Sequence, residues 1–166
     1  MTSKPLVRLA LALLIALPAC SAQEQPDHNQ ADVAFARGMV PHHQQAVDMA
    51  GLAAGRTTNP KVLALADRVA AAQDAEITAL TRWLDDWGVS PQNGHSGHMD
   101  DSRLRGSTGA DFDEEWLTLM TAHHEDAVAM SRAQLAEGVN ADAKAMARRI
   151  IDAQQAEIDQ MRELLR

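Results

Sequence analysis

Eight side chains able to hold a soft metal ion recur in one pattern. Met39, His42, His43 and Met49 are answered 81 residues later by Met120, His123, His124 and Met130. Each set reads M-x-x-H-H-x-x-A-V-x-M. Imidazole nitrogen and thioether sulfur together suit Cu(I), whereas Zn, Ni and Cu(II) favour imidazole and Mg and Ca favour oxygen. Such a set points either to one central histidine site with methionines above and below it, or to several sites spread along a helical interior. Two plainer readings stand beside these. A methionine stripe at helical spacing is often core filler, and inward histidines can serve a purely structural network with carboxylates.

The 81-residue offset extends past the motif. Phe35 maps onto Trp116, Asn59 onto Asn140, Gln73 onto Gln154, Glu76 onto Glu157 and Ile77 onto Ile158. A constant offset with matching chemistry is the signature of an internal duplication. At about 100° per residue, Phe35, Met39, His42, Ala46, Met49 and Ala53 share one stripe, with His43 at its edge. Trp116, Met120, His123, Ala127 and Met130 repeat that stripe, with His124 at its edge. On the following helix of each half, Val69, Ala72, Glu76, Leu80 and Trp83 form an apolar face matched by Ile150, Ala153, Glu157, Met161 and Leu164. Glu76 and Glu157 fall in the middle of these faces. A buried carboxylate needs a partner, and orienting a histidine is favoured for both over direct ligation of a metal.

The elements that must carry these residues are helices. Ala and Leu are abundant and Tyr is absent, a composition that favours helix. A first helix is expected from Asp27 or Asp32 to Ala54, with Gly55 as its stop and Pro41 bending it next to His42. Asn59-Pro60 opens a second, which runs to Trp87 and stops at Gly88. Thr108 with Asp111 resembles a capping box and opens a third, which ends at Glu137 before Gly138. Asn140 caps the fourth. Residues 88–107 read as a linker, where His95, His98 and Met99 could form a surface metal-capture tract. The expected fold is all-α: a four-helix bundle of two duplicated hairpins, with repeats at 31–87 and 108–166 within a domain spanning 31–166.

The 166 residues suffice for one core. A formal charge of −8 argues against nucleic acid as partner. The single cysteine excludes an internal disulfide. Lys4 and Arg8 precede a short apolar run from Leu9 to Leu17, and Leu17-Pro18-Ala19-Cys20 then reads as a lipobox. Residues 1–19 are therefore expected to be a lipoprotein signal peptide and 20–30 a tether. A lipid on Cys20 would hold the domain in the cell envelope, on the outer face of a bacterial membrane.

Asp32 to His43, Gly109 to Phe112 and Met120 to Met130 resemble the domain of unknown function 305 family, whose members are ferritin-like four-helix bundles. The resemblance runs from about Asp32 to the C-terminus. It implies copper or silver handling by an exported protein, with Met39, His42, His43, Met49, Met120, His123, His124 and Met130 as the metal-binding positions. The linker departs from the family, whose members often carry a Met-rich stretch there. The expectation is thus a non-enzymatic, lipid-anchored metal-binding protein. Copper, as Cu(I), is favoured; zinc, or no metal, is the alternative. A homo-oligomer or a metal-handling partner protein is compatible with this reading. The rivals are a carboxylate/His dimetal oxidoreductase and a metal-free structural or interaction bundle. Against the oxidoreductase, such sites use Glu-x-x-His motifs, and the chain has none.

Overall fold

The computed structural model describes residues 27–90 and 100–166. The expected signal peptide, Cys20, most of the expected tether and the linker residues His95, His98 and Met99 lie outside the described residues. The rest is helical: α1 (Gln30–Gly51), α2 (Pro60–Asp86), a short α3 (Ser102–Gly106), α4 (Gly109–Glu137) and α5 (Ala141–Leu164). α1 packs on α2, α4 on α5, and α1 and α4 pack against each other to complete a four-helix bundle. Arg68 of α2 donates to Gln160 of α5 at 2.8 Å across the far side. No helix among the described residues is long and apolar enough to cross a membrane.

The helix ends refine the sequence reading. α1 is capped by Asn29, whose side chain accepts from Ala31 and Asp32 N–H while Asp32 returns a bond to Asn29 N–H. Asp32 is therefore the third helical residue of a capping box, not the cap. α1 also stops at Gly51, short of Ala54. In α4 the equivalent positions hold Arg132 and Ala136 and the helix continues. In α1 they hold Gly51 and Gly55, which weaken it. Gly55, at φ 81°, sits in the turn that follows. Asn59 and Asn140 cap α2 and α5 as expected. Thr108 does not close a capping box: its side chain makes no cap bond. Gly109, at φ 62°, instead donates its N–H to the carbonyl of Arg56 at 2.6 Å. The 88–107 segment is not all loop, since it contains α3, whose Leu104 is buried in the core.

Gly138, the C-cap of α4, is glycine for want of space rather than for a left-handed turn. A Cβ there would fall 2.6 Å from Asp32 Oδ1 and closer still to the Gln134 amide. Trp116 is fully buried, and its indole N–H donates to the carbonyl of Met49 at 3.0 Å. That bond pins α4 to α1 and satisfies the one polar atom of a large apolar ring.

Candidate metal centre

α1 and α4 run antiparallel, so their two motifs meet head to tail. Of the predicted ligands, Met39, Met49, Met120, His42, His43, His123 and His124 are all buried, and Met130 is partly buried. His43 and His124, expected at the edge of the stripe, are completely enclosed. The core divides into two apolar clusters. Met39 belongs to one, with Met130 packed against it, and Met49 and Met120 belong to the other. The methionines thus flank the histidines on both sides.

The four imidazoles form a row rather than a cage. His42 and His123 lie at the centre with ring centroids 3.8 Å apart. His43 stands 6.2 Å from His42, and His124 stands 6.1 Å from His123. At one end His43 Nε2 donates to Glu76 Oε2 of α2 at 2.7 Å. At the other, His124 Nε2 donates to Glu157 Oε2 of α5 at 2.9 Å. Each carboxylate lies 33 residues beyond its histidine. His123 Nε2 also donates, to the main-chain carbonyl of His42 at 2.7 Å. Among the described residues, no three His, Cys, Asp or Glu side chains converge on one point. A site built from imidazole alone is therefore limited to pairs, and completing it falls to sulfur or to a further polar group.

The hydrogen bonds fix the tautomers. Carboxylate and carbonyl oxygens only accept, so His43, His123 and His124 each carry a proton on Nε2. In the neutral ring the lone pair is then on Nδ1. Those three Nδ1 atoms are buried with no hydrogen-bond partner, as are both ring nitrogens of His42. Burial, and secondarily the neighbouring His43 and His124, pushes His42 down to about 4. Burial, with His42 beside it, pushes His123 down to about 2. Both rings are uncharged at neutral pH. Bare, neutral, buried imidazole nitrogens beside thioethers fit a soft cation; a carboxylate on the other ring nitrogen is how proteins orient histidine ligands.

The carboxylates are not where the sequence reading put them. Glu76 and Glu157 are partly exposed, with side-chain accessibilities of 23% and 21%. Ala72 and Ala153 face solvent. The buried centres of these faces are Gln73 and Gln154. Both polar atoms of Gln73 and the Oε1 of Gln154 lack partners. The inward face is rotated by about 40° from the expected one, at 100° per residue. The reason is solvation: at the edge of the face a carboxylate can bind its histidine with one oxygen and keep water on the other, and a neutral amide costs less to bury. The two glutamines are site candidates that the sequence marks only as a pair matched across the duplication.

A sequence model of the family described as Domain of unknown function (DUF305) matches residues 32–165. No curated protein matches the chain. Among solved structures it is similar to CopM in its Cu(I)-bound form, 31% identical, with 82% of this chain and 96% of that chain covered and a TM-score of 0.75. CopM has also been solved with Cu(II) and with silver. A DUF305 protein from Streptomyces coelicolor, described as secreted, is 30% identical over 81% of this chain and 90% of its own, at TM-score 0.77. A DUF305 fragment from Deinococcus radiodurans is 27% identical over 84% and 98% respectively, also at TM-score 0.77.

Proposed function

The chain belongs to the DUF305 family, and from that premise we propose that it is an exported protein that binds copper as Cu(I) through histidine and methionine. The observation that carries this reading is the set of buried, unpartnered imidazole nitrogens in a row flanked by four motif methionines. The copper- and silver-bound forms of CopM support the choice of metal. His42, His43, His123 and His124 would supply nitrogen, and Met39, Met49, Met120 and Met130 sulfur. Glu76 and Glu157 orient the outer histidines. Bound metal is the cargo, held to limit its free concentration outside the membrane or to be passed to a partner. The secreted relative supports export, and the lipobox ending at Cys20 supports a lipid anchor.

The protein works without turnover in this reading. Glu76 and Glu157 reach the row from different helices and each bonds its own histidine, which supports an orienting role for both. Titration of the purified mature domain with Cu(I) tests the proposal. Binding should be at least tenfold tighter than that of a variant with His42, His43, His123 and His124 all changed to Ala, a gap of about 1.4 kcal/mol. Equal affinity for the two proteins would reject it. Iron uptake with oxygen consumption would favour the oxidoreductase instead. A melting temperature unmoved by added metal would favour a metal-free bundle.

A further inference from the structure

The two halves differ at the place where the interior approaches the surface. Met130 is the only partly exposed member of the four motif methionines; Met39, Met49 and Met120 are at most 3% exposed. Met130 lines a solvent-open groove of about 200 Å³ between α1 and α4, together with Ala34, Phe35, Ala133, Gln134 and Glu137. A Cβ on Gly38 would lie 3.0 Å from the Met130 methyl, so glycine makes room for that side chain against α1. The residue 81 positions after Gly38 is Leu119, which packs on the cluster that holds Met49 and Met120. One half is therefore closed by leucine where the other is left open by glycine. Gln134, which also lines the groove, is 2% exposed, and its Oε1 accepts no hydrogen bond.

We infer that this groove is the entrance for metal, and that Met130 is the first thioether an incoming soft cation meets. The inference rests on the copper-binding reading above. Behind Met130 lies the apolar cluster containing Met39, which stands one turn before His42 on α1. A sulfur at the surface, a second sulfur in the cluster and bare imidazoles beyond give a dehydrating ion successive soft ligands.

Two readouts test this. In the metal-free protein, limited hydrogen peroxide should oxidise Met130 before the other three motif methionines, as followed by peptide mass spectrometry. Equal oxidation of Met49 or Met120 would overturn the inference. In stopped-flow loading with Ag(I), Gly38→Leu, which copies the closed half, should load roughly tenfold more slowly with little change in equilibrium affinity. Ala34→Leu fills the groove from an exposed position and should act in the same direction if Gly38→Leu fails to fold. Loading of either folded variant at the wild-type rate would end the inference alone. No Ag(I) uptake by the wild type would end both it and the reading beneath it.

Discussion

Gln134 of α4 donates its side-chain amide to Asp32 of α1, joining residues 102 positions apart. The same buried carboxylate accepts from the N–H groups of Asn29, Val139 and Asn140. One side chain thus ties the start of α1 to the turn between α4 and α5. Burial opposes its charge, but the hydrogen bonds from Gln134, Asn29, Val139 and Asn140 outweigh burial and hold its pKa below the usual aspartate value.

Asp32→Ala should destabilise the fold by about 3 kcal/mol, because it leaves buried donors unpaired. Urea unfolding measures this. The metal affinity of the folded variant should stay near wild type, since Asp32 acts at the bundle end. The carboxylate's contribution is present above the ordinary aspartate pKa and fades as pH falls through the lowered value.

The histidines add a separate acid sensitivity. His42 titrates near 4 in the folded chain against an ordinary value of 6.5, and His123 lower still. Between those values the unfolded state binds more protons than the folded one, so stability is present above about 6.5 and falls as pH drops. Each ring should contribute about 1.4 kcal/mol per pH unit in that window. Denaturation of the metal-free protein at pH 7 and pH 5 should show the loss, and a His42→Leu, His123→Leu variant should show a shallower slope.

Much of this was legible in the sequence, for reasons that differ by residue. The inward direction of Met39, His42, Trp116 and His123 followed from helical periodicity, which packing obeys. Asn59-Pro60 marked a helix start because its chemistry is local. Glu76 and Glu157 were misplaced because periodicity cannot distinguish a face centre from its edge when alanines flank both sides. The pairing of His42 with His123 depended on how α1 crosses α4. No local pattern encodes that crossing. Gly38 carried no signal until Met130 was found lying against it.

The His43–Glu76 and His124–Glu157 bonds should matter to metal affinity as well as to folding. Glu76 and Glu157 are partly exposed, but losing either leaves the enclosed Nε2–H of His43 or His124 without its acceptor, at a cost of about 1–3 kcal/mol. Glu76→Ala should weaken metal binding by roughly 10- to 100-fold, as loss of a ligand-orienting carboxylate does. Glu76→Gln should fall between, since its amide oxygen still accepts from Nε2. Glu157→Ala should match Glu76→Ala within a few-fold. Competition against a coloured Cu(I) chelator gives these values, and a wild-type affinity for both alanine variants would remove the orienting role.

The sulfur atoms can be separated from the volume they fill. Leucine nearly matches methionine in size, so Met39→Leu with Met120→Leu should cost under about 1.5 kcal/mol per site. Both residues are completely buried, so no solvent enters to complicate the comparison. If the methionines only fill the core, metal binding is unchanged. If their sulfurs are ligands, affinity for Cu(I) and Ag(I) should fall by at least about tenfold, while affinity for Cu(II), which prefers imidazole, moves much less. Replacing His42 and His123 should weaken all three ions together. The contrast between the two variants, measured by parallel titrations with Ag(I) and Cu(II), assigns the soft-metal preference to the methionines and the shared affinity to the histidine row.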